Sequence, residues 1–225
     1  TWDSNTTSEY QEAITKAAVL HEETPPFELM ETIKYENQEY FLLDNHIERI
    51  SKSAQYFNIP FNKEKIIHDL IEADLPKDQL LRVNLYIDFK GNSKVTAVPF
   101  ENISDEKKVK LATFPISKND KFLYHKTTNR KLYEKQQESK GKMFDVLLWN
   151  EDLELTEFTI GNLVVKWRGN YWTPPIECGL LPGTYRDHLL KEGQIKEKIL
   201  LLQSLNDFEE IWLINSLRGW VRVNL

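Results

Sequence analysis

Cysteine is nearly absent from this chain: Cys178 is the single one in 225 residues. No intrachain disulfide can form, which excludes a disulfide-stapled secreted scaffold. The same scarcity fits a reducing cytoplasm, the expected compartment. The five histidines do not fall at ligand spacing, so no metal site is expected. Long apolar runs are also missing. Nothing approaches the roughly 20 residues that a helix needs to cross a bilayer, and no membrane partner is expected. Dense lysine or arginine blocks are missing too, and the formal net charge is −6. A nucleic-acid binder usually shows a basic face, so nucleic acid is not an expected partner. There is no Walker loop, no dinucleotide glycine fingerprint, no nucleophile elbow and no HExxH.

What is present is an ordinary globular balance, 40% hydrophobic and 28% charged. The length suits one large domain or two small ones. Residues 8–20 are helix-compatible behind capping candidates at Asp3, Ser4 and Asn5, and Pro25-Pro26 breaks that pattern. Two strands are expected over 27–35 and 39–43, with a turn between them. Asp44 or Asn45 is the expected cap of a helix that puts Ile47, Ile50, Ala54 and Phe57 on one face. A second helix is expected from Asn62 to about Ala73. Strands follow over 79–88 and 93–98, joined by Lys90-Gly91-Asn92. Residues 99–106 read as a linker.

Beyond the linker, a strand is expected over 107–114 and a helix over 127–140 that ends at Gly141. Further strands are expected over 143–149, 162–167, 171–173, 210–214 and 220–223, and a helix over 183–191. The pattern describes an α/β (α+β) protein of two lobes. On composition and spacing alone, every lysine, Lys126 included, reads as a solvated surface charge.

Four segments, taken together and in order, resemble the class IV aminotransferase-like enzymes that use pyridoxal 5'-phosphate (PLP). They are FLLDNHIERISKSAQYF (41–57) after FELMETIKY (27–35), LYHKTTNRKLYE (123–134), LTEFTIGNLVV (155–165), and TPPIECGLLPGTYRD (173–187) with LINSLRGW (213–220). HKTTNR and NSLRGW are similar to the 4-amino-4-deoxychorismate lyase branch. The opening TWDSNTTSEY is similar to the end of a chorismate-using synthase. The resemblance therefore implies a two-lobed fold-type IV enzyme joined to a para-aminobenzoate synthase component. Residues 1–22 would be a leader helix left from that synthase, 23–106 a small α/β domain and 107–225 a larger, strand-rich PLP-binding domain. A homodimer is expected, as is common for such enzymes.

The resemblance also implies roles. Lys126 matches the lysine that carries the cofactor and then moves the proton. Thr32 matches a threonine near the reacting carbon. Arg49, in the His46-x-x-Arg49 pattern, matches a phosphate ligand, as do Thr184, Tyr185 and Ser216. Tyr185 departs from the small hydroxyl residue frequent at its position. Glu157 matches the partner of the pyridine nitrogen. Arg82, Arg130 and Arg218 are candidates for the substrate's carboxylates. The implied reaction converts 4-amino-4-deoxychorismate to 4-aminobenzoate and pyruvate, within folate biosynthesis. Two alternatives stay open: an aminotransferase for branched-chain or D-amino acids, and a silent interaction domain.

Overall fold

The computed structural model describes residues 26–102 and 105–225. The expected leader over 1–22 lies outside them. The first lobe is built on a four-stranded antiparallel sheet in the order β2-β1-β3-β4. Its strands are β1 (Leu29–Glu36), β2 (Glu39–Tyr40), β3 (Leu81–Ile87) and β4 (Ser93–Pro99). Strict alternation splits β1 into two faces, as a period of two requires. Leu29, Glu31, Ile33 and Tyr35 are buried, and Met30, Thr32 and Lys34 lie on the opposite face. Register then sets Met30 opposite Tyr86, Thr32 opposite Asn84 and Lys34 opposite Arg82.

The buried face is covered by α1 (Leu43–Tyr56) and α2 (Lys63–Ile71), through Ile47, Ile50, Ala54, Ile66 and Leu70. Asn62 caps α2 as its type predicts, with its side chain accepting from Lys65 N at 2.8 Å. The expected cap of α1 is corrected. Neither Asp44 nor Asn45 caps it; the cap position is Leu42, in a left-handed conformation with no side-chain bond. Asp44 instead lies inside the first turn, where a carboxylate favours the helix dipole. Asn45 reaches across to Asp187 at 3.2 Å.

The second lobe holds a nine-stranded sheet. Its main path runs β5-β13-β12-β9-β8-β7-β6, and β10 joins β9 and β11. The strands are β5 (Lys107–Lys108), β6 (Lys110–Leu111), β7 (Val146–Trp149), β8 (Leu155–Phe158), β9 (Gly161–Trp167), β10 (Asn170–Thr173), β11 (Lys196–Glu197), β12 (Glu210–Asn215) and β13 (Gly219–Asn224). The single strand expected over 107–114 is two short ones. β5 pairs with β13 and β6 with β7, so the chain changes partner at Val109. Strand β8 was not expected as a full strand. Leu155, Thr156, Glu157 and Phe158 are all buried, so it shows none of the alternation that marks a half-exposed strand.

The helix expected over 127–140 is shorter. α3 covers Lys131–Gln137, with Arg130 at its cap. Residues 127–128 are drawn off to the first lobe instead. Met30 N donates to Lys126 O at 3.0 Å, Thr128 N to Glu28 O at 2.9 Å, and Glu28 N to Thr128 Oγ1 at 2.8 Å. This backbone pairing fixes Lys126 at the joint of the two lobes. The last helix, α4 (Thr184–Lys191), starts at the same joint.

Candidate active site

A cavity of about 420 Å³ opens between the lobes, a size suited to a small ligand. Thr32, Arg49, Arg82, Lys126, Arg130, Glu157, Thr184, Tyr185, Ser216 and Arg218 all line it. Each candidate named from sequence is thus brought to one place, from segments far apart in the chain.

The first-lobe end of the cavity rests on Glu31, which is fully buried. Arg49 Nε donates to Glu31 Oε1 at 2.8 Å, and Arg49 Nη2 to Oε2 at 2.5 Å. Two parallel bonds of this kind fix the plane of a guanidinium. His46 Nδ1 lies 2.7 Å from Glu31 Oε2. Burial raises the Glu31 pKa, but Arg49 and His46 outweigh it and bring the group down to about 2. The His46 pKa is lowered, first by burial, in spite of the carboxylate beside it. A neutral His46 that donates from Nδ1 must accept at Nε2. Its neighbour there is the Thr184 hydroxyl at 3.4 Å, so Glu31 orders Arg49 directly and Thr184 through His46.

Lys126 keeps part of its surface open to the cavity. Its pKa falls to about 7, mainly through burial and then through Arg49 and Arg130, with Glu31 and Glu157 opposing. An amine with that pKa has a large neutral fraction at neutral pH, as a nucleophile or base requires.

At the opposite end Glu157 sits on β8, paired in register with Asn162 across the hairpin to β9. Tyr133 O–H donates to Glu157 Oε1 at 2.8 Å, and Asn162 Nδ2 to Oε2 at 3.3 Å. Burial dominates and pushes the Glu157 pKa up to about 8, against Tyr133, the Leu181 backbone, Arg130 and Lys126. The hairpin turn is tied down by buried Asp145. The Thr159 hydroxyl donates to Asp145, and Ile160 N donates to Asp145 Oδ2 at 3.2 Å. Gln137 Nε2 reaches Thr159 Oγ1 at 2.6 Å.

Gly183 precedes α4, and a Cβ there would sit 1.9 Å from Asn162 Oδ1. Only glycine allows the helix start to approach this closely. Ser216 lies in the turn between β12 and β13, where Asn215 Oδ1 accepts from Leu217 N and Arg218 N at 3.1 and 2.8 Å. Arg130 gives one Nη2 bond to Thr159 O at 2.5 Å and lies over the Tyr133 ring at 4.5 Å. Arg218 lies over Phe100 at 4.8 Å, and its pKa is lowered by burial and by Arg82. Thr32 Oγ1 donates to Asn84 Oδ1 at 3.2 Å.

Residues 28–225 match the family described as amino-transferase class IV. The chain belongs to that family. Its members depend on PLP. The chain is 30% identical over 199 residues to a Schizosaccharomyces pombe protein provisionally named aminodeoxychorismate lyase, covering 84% of this chain and 86% of that one. The aminodeoxychorismate lyase of Bacillus subtilis is 25% identical over 214 residues, covering 78% and 69%. Among solved structures, a Mesorhizobium loti protein provisionally named as an amino-acid aminotransferase superposes with a TM-score of 0.81 at 28% identity, covering 88% and 99%. The fold is thus the fold-type IV α/β arrangement expected from the sequence.

Three cavity-lining residues with roles in the site, Tyr133, Asn162 and Asn84, and Glu31 behind the cavity were not singled out from sequence. Glu31 had a readable signal. It is a carboxylate on the inward face of β1, between Leu29 and Ile33, and such a residue needs a buried partner. Tyr133, Asn162 and Asn84 gave none.

Proposed function

We propose that this chain is a PLP-dependent lyase that converts 4-amino-4-deoxychorismate to 4-aminobenzoate and pyruvate. The observation that carries the reading is a cavity with a buried amine, a buried carboxylate and, besides the paired Arg49, three arginines. Among the described residues none of Arg82, Arg130 and Arg218 forms an ion pair with a carboxylate. The substrate bears an amine and two carboxylates, so three cations without counter-ions suit it. An apolar branched-chain substrate offers no second carboxylate to the exposed Arg82 or the partly buried Arg130 and Arg218.

The residues present fit PLP. A guanidinium has five N–H groups. Three of those on Arg49 are held by Glu31 and by Pro182 O, which leaves two for a phosphate. The start of α4 at Gly183–Thr184 adds backbone N–H groups, which favour an anion. The Ser216 hydroxyl lines the same cavity, and the Tyr185 N–H lies in the first turn of α4. Glu157 offers a buried carboxylate to the pyridine nitrogen, and Lys126 offers the amine that holds the cofactor. When bound, PLP supplies an electron sink for charge released at the carbon next to nitrogen.

The protein's own groups then have simple tasks. Arg82, Arg130 and Arg218 hold the carboxylates and orient the ring. Lys126 Nζ takes the proton from the ring carbon that bears the nitrogen. The bond from the neighbouring carbon to the enolpyruvyl oxygen breaks, and the electron pair leaves with that oxygen. A proton returns to the methylene carbon of the released enol, which becomes pyruvate. Thr32 serves as a hydroxyl beside that path. Substrate and products contain the same atoms, so no oxidant and no amino acceptor is consumed.

The test follows from that balance. Supplied with 4-amino-4-deoxychorismate and no keto acid, the PLP-loaded protein should release pyruvate and 4-aminobenzoate in equal amounts over many turnovers. A protein that turns over branched-chain or D-amino acids with 2-oxoglutarate, and not this substrate, is an aminotransferase. The Mesorhizobium loti likeness is the observation on that side. The homodimer and the link to a synthase belong to the same proposal. Sedimentation of the purified chain tests the first.

A further inference from the structure

Tyr133 is a buried titratable group that the reaction above does not use. Its ring packs with Ala112, Ile116, Leu123, Val146 and Leu148, yet its hydroxyl is turned away from that cluster to the Glu157 carboxylate at 2.8 Å. A phenol that only filled the core would gain nothing from the hydroxyl, and phenylalanine would serve as well. The chain path is informative. Lys126, Arg130 and Tyr133 come from one short stretch, and all three line the cavity. Arg130 stacks over the Tyr133 ring at 4.5 Å, and α3 starts between them at Lys131. The one segment therefore carries the amine, a guanidinium and a phenol whose hydroxyl meets the carboxylate at the far end.

We propose that Tyr133 is a positioning residue: its O–H bond to Glu157 Oε1 favours the charged, accepting form of that carboxylate and aims it for the pyridine nitrogen. This rests on the PLP reading above. The physics is direct. A buried carboxylate with no cation bonded to it tends to take a proton. Glu157 is in that state, with burial pushing its pKa up to about 8, and Tyr133 is the first of the groups that oppose the rise. A hydroxyl donor favours the charged form, because the protonated acid accepts the bond less strongly. Asn162 supplies the other side-chain donor, at a longer 3.3 Å. Tyr133 itself stays protonated, since burial and Glu157 both raise its pKa. It can donate to the carboxylate throughout the working pH range.

The test follows the Glu157 carboxyl by carbon-13 NMR in the full chain without cofactor, with Glu157→Gln to assign the signal. In Tyr133→Phe, which keeps the ring, the Glu157 titration should move up by about one pH unit. Site-specific 3,5-difluorotyrosine at position 133, a stronger donor, should move it down. In the PLP-loaded protein, the acid limb of the kcat profile should shift upward in Tyr133→Phe with little change in KM. Tyr133→Phe should add no further shift of that limb in a Glu157→Gln background. A Glu157 titration unmoved by both changes at position 133 would overturn the assignment, whatever happens to stability. The reading of the cofactor is judged separately, on the unaltered protein, by its visible PLP absorbance.

Discussion

A buried glutamate stands at each end of the site, Glu157 lining the cavity and Glu31 behind Arg49, and the two behave in opposite ways. Glu31 is bonded to Arg49 and His46, and its pKa falls to about 2. Glu157 is bonded to a phenol and an amide, and its pKa rises to about 8. Burial penalises charge on both, so the difference lies in the partners. A cation in contact outweighs desolvation, and neutral donors only reduce it. The first end is a permanent ion pair that fixes the Arg49 guanidinium. The second is a group poised near neutrality, beside a Lys126 amine poised at about 7. One end stays charged across the working pH range, and the other titrates within it.

That division can be broken by substitutions of equal shape. The largest effect is expected from Glu157→Gln: turnover should fall by about a hundredfold or more, while PLP affinity changes little. Steady-state kinetics beside a PLP titration separates the two. Next is Glu31→Gln, which leaves the Arg49 charge without its anion. Denaturant unfolding should show a loss of about 3 kcal/mol, and PLP should bind more weakly. Arg49→Ala should likewise weaken PLP binding before it lowers turnover at saturating cofactor.

The pH dependence sharpens the contrast. The folded-state pKa of Glu31 is depressed, so its stabilising contribution is full above the ordinary value of 4.5 and is lost as pH falls toward about 2. The folded-state pKa of Glu157 is raised, so stability declines as pH climbs from 4.5 through about 8. Thermal unfolding of Glu157→Gln should therefore match the parent near pH 4.5 and exceed it at pH 9. The smallest effect is expected from Thr184→Val, which removes only the long 3.4 Å contact to His46. Its cost should stay under about 1 kcal/mol.

The sequence carried the elements better than it carried the partners. Period-two and helical patterns located β1, β3, β4, α1 and α2 within a few residues, because β1, β3 and the helices each bury one face and β4 packs Val95 and Ala97 against the same core. Pattern failed for β8, which is buried on both faces. It also failed for 127–130, which would suit a helix but is held by backbone bonds to Glu28 and Met30. Those bonds join residues about a hundred positions apart, and local propensity does not encode them. The cavity residues were legible only through the resemblance of four segments. Spacing alone gives no reason for Lys126 to meet Glu157. Tyr133 illustrates the limit: helical periodicity places it in the core, and only the fold shows that its hydroxyl reaches a carboxylate on another strand.

The central claim is that the Lys126 amine, set between the two glutamates, is the point of PLP attachment. Borohydride reduction of the PLP-loaded protein, followed by peptide mapping, tests it most directly. The reduced pyridoxyl group is expected on Lys126 alone, and none after Lys126→Ala in a protein that still folds. A pyridoxyl group on another lysine, or unchanged labelling in Lys126→Ala, would contradict it.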